Sequence, residues 1–167
     1  MNTKMKRRLI LIAGIPGVGK TTIGNFLESK YKYKHFDMEK YHRTSRIIKN
    51  VDKFIVKYFE KNKDIVITWG FSPDQKTIDV VNLLHKYGFK IFWFDGNRNS
   101  AGRATMQRKT FDEIVLKKQM QALDKWNVPK KINAKIINVF DKKGNFRGIT
   151  KITKDIDAIL IRKSFYN

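Results

Sequence analysis

Eight consecutive residues, Gly14-Ile15-Pro16-Gly17-Val18-Gly19-Lys20-Thr21, fit the pattern G-x-x-x-x-G-K-[ST] at every position. An apolar run, Leu9-Ile10-Leu11-Ile12-Ala13, precedes them, and Ile23, Phe26, Leu27 and Tyr31 follow at helical spacing. No other feature limits the fold as tightly as this order of strand, glycine turn and helix. The glycines let the backbone bend sharply and bring successive N–H groups onto an anion with no Cβ in the way. A helix opening at Gly19 points its positive dipole end at the same place. Lys20 then reaches the β- and γ-phosphates of a nucleotide, and the Thr21 hydroxyl coordinates Mg²⁺.

The rest of the chain repeats the alternation. Short apolar runs at Leu9–Ala13, Lys34–Asp37, Ile65–Trp69, Phe89–Asp95 and Lys135–Phe140 read as strands, mostly near-continuous in Ile, Val, Phe and Trp, as in a sheet covered on both faces. Helical spacing recurs between them, for instance at Val51, Phe54, Ile55, Tyr58 and Phe59. Ser72-Pro73-Asp74-Gln75 reads as an N-cap serine with proline at the first helical position, and Gly88 as the stop. Thr110-Phe111-Asp112-Glu113 reads as a capping box for a helix with Ile114, Met120, Leu123 and Trp126 on its apolar side, and Thr153 as the cap of the last helix. Five strands and about five helices in alternation predict an α/β three-layer sandwich. With 167 residues, no repeat and no linker, the expectation is a single domain.

Composition narrows the function classes. Cysteine is absent, which excludes a disulfide scaffold, a thiolate zinc site and cysteine catalysis, and fits a reducing, cytoplasmic setting. No stretch nears the ~20 apolar residues of a membrane span, and the apolar run after the basic N-terminus is too short for a signal-peptide core. The net charge is +21, concentrated toward both ends of the chain. A field of that sign attracts polyanions, nucleic acid first. With 27 lysines against 9 arginines, a coding bias toward lysine produces the same excess.

Several residues are candidates for chemistry. Asp37 and Glu39 close the second strand; two residues apart, they emerge on one side, where one carboxylate takes or steers an acceptor proton and the other holds Mg²⁺ through water. Asp95 ends Ile91-Phe92-Trp93-Phe94-Asp95 in the manner of a magnesium-binding aspartate, whereas the third strand ends at Trp69-Gly70 with no acid. Arg98, Arg103 and Arg108 follow, punctuated by Gly96 and Gly102, on a segment read as mobile and suited to charge on phosphoryl oxygens. Arg43, beside His42, is a candidate clamp for an anionic substrate. Trp69-Gly70-Phe71 offers a resting place for a planar acceptor or, for Trp69, core packing, and Asp141-Lys142-Lys143-Gly144-Asn145 forms a turn suited to border a base. The three histidines show no metal-ligand spacing.

On these residues the chain resembles the P-loop kinase superfamily, in its compact nucleoside-monophosphate, shikimate, gluconate and polynucleotide kinase branch, and most of all small P-loop proteins of unassigned substrate. The resemblance implies a parallel sheet of order 2-3-1-4-5, ATP as donor with Mg²⁺, an acceptor-binding helical region about residues 39–63 and a lid about residues 96–110. It implies that Gly14 to Thr22, including Ile15, Pro16 and Val18, bind phosphate and metal. It also implies that Asp37 or Glu39 is the catalytic carboxylate, and that Arg98, Arg103 and Arg108 are lid arginines. Phe36 to Arg43 and Arg98-Asn99-Ser100 look like segments of polynucleotide 5′-hydroxyl kinases. No arginine stands in Gly70-Phe71-Ser72-Pro73, where adenylate kinases carry one for the acceptor phosphate.

The expected activity is ATP-dependent phosphorylation of a hydroxyl on a small molecule. A nucleic-acid end is the alternative acceptor, and a nucleotide-driven switch with no acceptor is a third reading.

Overall fold

The computed structural model describes residues 7–40, 43–59, 63–108 and 112–161, the side chains of residues 43–45 excepted. Its strands are β1 (Leu9–Gly14), β2 (Lys34–Asp37), β3 (Ile65–Gly70), β4 (Lys90–Asp95) and β5 (Lys135–Asn138). They form one all-parallel sheet in the order β2-β3-β1-β4-β5. Among the described residues the helices are α1 (Lys20–Tyr31), α2 (Arg43–Lys49), α3 (Val51–Tyr58), α4 (Gln75–Lys86), α5 (Arg98–Met106), α6 (Glu113–Trp126), α7 (Val128–Lys131) and α8 (Ile149–Ile161).

β1 is buried at all six positions because neighbours flank it and helices cover both faces. Register then assigns side chains to faces. Asp37 pairs with Thr68, and Ala13 pairs with both Trp69 and Trp93. Since successive residues alternate, His35, Asp37 and Thr68 share one face, on which α1 lies, while Phe36, Trp69, Trp93 and Asp95 share the other. On that second face Phe36 packs edge-on against Phe54 and Tyr58 of α3, and Phe71 bridges Trp69 and Trp93. Trp69 and Phe71 are each 1% exposed, so their rings belong to the core and offer no resting surface to an acceptor.

The helix boundaries correct three expectations. α4 is capped by Asp74 rather than Ser72: its carboxylate accepts from the Thr77 amide at 2.9 Å and from the Thr77 hydroxyl at 2.9 Å. α8 starts a turn before Thr153, whose hydroxyl donates to the Ile149 carbonyl at 2.8 Å from inside the helix. In α6 the inward residues are Leu116, Met120 and Leu123, with Ile114 64% exposed in the first turn; Asp112 caps it, and Thr110 and Phe111 lie outside the described residues. Four strands also have different bounds: β1 and β3 run one residue further, to Gly14 and Gly70, β4 begins at Lys90, and β5 stops at Asn138, after which Arg147 and Asp95 take up the backbone of Val139.

Candidate active site

The phosphate loop is held by what surrounds it. The Ile15 amide donates to the Phe94 carbonyl at 3.3 Å, which spends one loop N–H on the sheet, and the Ile15 and Val18 side chains are buried. Gly17 lies against α5: a Cβ there would stand 2.5 Å from the Thr105 hydroxyl and closer still to the Ala101 carbonyl. Gly19 caps α1 with no side-chain hydrogen bond, and the first turn carries no acid. The opening amides of α1 are therefore left for an anion. Pro16 is half-buried and Thr22 is exposed on the first turn.

Lys20 lies half-buried, its Nζ donating to the carbonyls of Ile15 at 2.9 Å and Gly14 at 3.3 Å. Desolvation pushes its pKa down to about 8; the Arg108 guanidinium pushes the same way, while Glu39 and Asp37 oppose. All three charges thus reach Lys20. The Thr21 hydroxyl donates to Asp37 Oδ2 at 3.2 Å, and Asp37 Oδ1 accepts from the Glu39 amide at 3.1 Å. Glu39 sits over the end of β3, its carboxylate resting where a side chain at residue 70 would begin. Lys20, Thr21, Asp37, Glu39 and Arg108 are thus gathered at the carboxyl ends of β1, β2 and β3, where open α/β sheets place ligands.

Asp95 and Arg98 are placed elsewhere. Asp95 points to the face opposite α1, as the register with Trp93 dictates, and both of its oxygens are engaged. Oδ2 accepts from the Trp93 indole N–H at 3.1 Å; Oδ1 accepts from the Gly96 amide at 2.7 Å and from the Arg98 guanidinium. Arg98 also reaches Asp124 of α6 at 2.6 Å. Asp95 and Asp124 border a cavity of about 440 Å³ between β4 and the α6–α7 corner. Arg103 donates to the Ser100 hydroxyl at 3.1 Å on its own helix. The segment read as mobile is largely a packed helix: Ser100, Ala101 and Thr105 of α5 are buried. His42 lies outside the described residues, as does the side chain of Arg43.

The turn after β5 folds onto the loop. Asp141 Oδ1 accepts from the amides of Lys143 and Asn145, both at 2.8 Å, which pulls its pKa below the usual carboxylate range. The Gly144 carbonyl accepts from the Ser100 hydroxyl at 2.7 Å, fastening the turn to α5. Phe146, just beyond, is 41% exposed and lies beside Gly19, where a Cβ would meet its ring at 3.3 Å. Sequence reasoning reached the turn but not Phe146, which carries no motif. It named Gly70 within Trp69-Gly70-Phe71 but not the room that residue leaves for Glu39, because that space is a property of two segments.

Gly70 provides a direct test of the Glu39 position. Nothing but the flexible end of Glu39 opposes a methyl group there. Gly70→Ala is expected to leave the melting temperature within about 2 °C, as for a substitution that strains no core. It should lower turnover at least about tenfold by displacing the carboxylate. Turnover equal to that of the unaltered chain would remove Glu39 from the chemistry.

No family model matches the sequence, and no curated protein matches it. Solved structures do match in fold. Shikimate kinase from Acinetobacter baumannii, in complex with shikimate, superposes with a TM-score of 0.64 over 95% of this chain and 96% of that one, at 14% identity. The fold is that of the small P-loop kinases. Shikimate kinase from Bacteroides thetaiotaomicron gives a TM-score of 0.58 over 92% and 98% of the two chains at 18% identity. A gluconokinase from Sinorhizobium meliloti gives 0.57 over 90% and 97% at 13% identity. The sheet order agrees with what the resemblance implied, and the loop between β1 and α1 with what the motif implied. Among the described residues, no helix is long and apolar enough to cross a membrane.

Proposed function

We propose that this chain is a kinase that transfers the γ-phosphoryl group of ATP, with Mg²⁺, to a hydroxyl of a small-molecule acceptor. The observation that carries the reading is the meeting of Lys20, Thr21, Asp37 and Glu39 around the uncapped start of α1. The α1 amides and Lys20 hold the phosphates, and Phe146 with the 141–145 turn borders the base. The acceptor oxygen attacks the γ-phosphorus as the bond to the bridging oxygen of ADP breaks, and the acceptor proton passes to the Glu39 carboxylate. Arg108 faces the charge gathering on the phosphoryl oxygens, while Arg98 ties α5 to Asp95 and Asp124 and Arg103 bonds Ser100 within its own helix.

The residues present suit Mg²⁺, which prefers one or two protein oxygens completed by water and phosphate oxygens. Thr21 and Asp37 supply such a pair, and among the described residues no cluster of three His, Cys, Asp or Glu offers another. Bound there, Mg²⁺ neutralises charge on the transferring group.

The +21 charge favours a second reading, a nucleic-acid end as acceptor, and Arg46, Lys49, Lys53 and Lys57 are exposed along α2 and α3. One experiment separates them. The protein is incubated with γ-labelled ATP and pools of hydroxyl-bearing metabolites and 5′-hydroxyl oligonucleotides. Label on a small molecule supports the first reading and label on oligonucleotide ends the second. Release of inorganic phosphate alone, unaffected by every acceptor, overturns both.

A further inference from the structure

His35 stands two residues before Asp37 on the same face of β2, and its ring fills the joint between α1 and the sheet. Nδ1 lies 3.0 Å from Asn25 Oδ1 on α1, and Nε2 lies 2.8 Å from the Thr68 hydroxyl on β3. Opposite the ring is Gly24, buried inside α1. A Cβ at that position would stand 2.6 Å from Cε1 and 2.8 Å from Cδ2 of the imidazole, and closer to Nε2. Glycine is disfavoured in a helix interior, so its presence there calls for a packing reason. The ring is that reason: only a residue without a side chain lets α1 come down onto it.

The joint leads to the metal end of the phosphate loop. Asn25 lies one turn of α1 beyond Thr21, and a helix transmits such an anchor stiffly. Thr68, the other anchor, pairs with Asp37 in the sheet, and its carbonyl accepts from the Met38 amide at 2.9 Å. One residue of β3 therefore fixes both His35, through its hydroxyl, and the backbone just after Asp37, through its carbonyl. The structure thus places a single imidazole between the helix that carries Thr21 and the strands that carry Asp37.

We infer that His35 is a positioning residue that sets the Thr21–Asp37 pair for Mg²⁺, acting through Asn25 and Thr68 and touching no reacting atom. Gly24 is its counterpart on α1. The inference rests on the reading of the loop as a Mg²⁺–nucleotide site.

The test uses the full chain and a fluorescent ATP analogue, titrated in Mg²⁺ and in EDTA, with melting temperatures recorded alongside. His35→Leu keeps bulk but loses both polar contacts, His35→Gln retains a polar reach, and Thr68→Val removes only the hydroxyl. The Mg²⁺-dependent gain in affinity is expected to fall about tenfold in His35→Leu, the lower end of what outer-shell metal partners contribute. Affinity in EDTA should stay within about twofold. Thr68→Val should reproduce the loss and His35→Gln recover part of it. Should His35→Leu fail to fold, the comparison rests on Thr68→Val. A parallel fall in both affinities, or a lower melting temperature with the Mg²⁺-dependent gain intact, overturns the inference. Failure of the unaltered chain to bind nucleotide in either condition overturns the kinase reading itself and is recognisable as such.

Discussion

Lys20→Ala is expected to cut phosphoryl transfer by about a hundredfold or more, the usual effect of removing one preorganised charge stabiliser. Replacement should also erase a pH limb. In the free chain burial holds the ammonium near a pKa of about 8, with two loop carbonyls as its hydrogen-bond acceptors. A triphosphate adds negative charge beside it and raises that value in the complex. A group whose pKa rises on binding takes up a proton, so affinity is full below pH 8 and declines as pH climbs through 8 toward the value in the complex. The decline approaches tenfold per pH unit at most, since one proton is linked. Calorimetry in buffers of differing ionisation enthalpy measures the uptake directly at pH 8 to 9. In Lys20→Ala both the uptake and this limb should vanish. If they persist, Lys20 does not contact the phosphates.

The electrostatics explain why the loop is poised this way. Glu39 and Asp37 favour the charged ammonium, Arg108 disfavours it, and desolvation outweighs them all. Carbonyl acceptors are easily exchanged for phosphate oxygens, so under the proposed kinase reading the ammonium would turn from the loop to the nucleotide while staying hydrogen-bonded.

The sheet was legible because its signals are local and redundant: β2 occupies Lys34–Asp37 as its apolar run indicates, and the loop motif fixes β1 and α1 together. Helix starts were less so where two capping residues compete. Ser72 and Asp74 are both good caps, and the choice fell to Asp74, which bonds both the amide and the hydroxyl of Thr77. Asp95 shows a different limit. An acid at a strand end is visible in the sequence, but its face depends on register with β1, and register puts it beside Trp93, away from Asp37. Phe146 and His35 have no sequence signal, and Gly70 none for the space it leaves, because each acquires its place from a segment distant in the chain, Gly19, Gly24 and Glu39 respectively.

Gly14 carries the largest expected effect on stability. Its sequence role was to let the loop approach phosphate, yet it is also the last residue of β1, where that strand pairs with Phe94 of β4. Its φ of +152° belongs to a region open essentially to glycine alone, and a Cβ would stand 2.9 Å from the Phe94 amide nitrogen and closer to the Phe94 carbonyl oxygen. Those are backbone atoms of the sheet, and that same carbonyl accepts the Ile15 amide, so neither side can yield without breaking the loop's attachment. Strain and overpacking together place the cost of Gly14→Ala at about 3–5 kcal/mol. For a chain of this size that lowers the melting temperature by roughly 10 °C. Nucleotide affinity should fall with it, because the shift needed to seat the methyl group moves the loop amides proposed to hold the phosphates. Thermal denaturation with and without Mg²⁺–ATP analogue separates the two effects. The unaltered chain should gain stability with ligand and the variant gain far less. A variant that melts within a degree or two of the unaltered chain would mean that β1 and β4 do not approach each other in the way that forces glycine at this position.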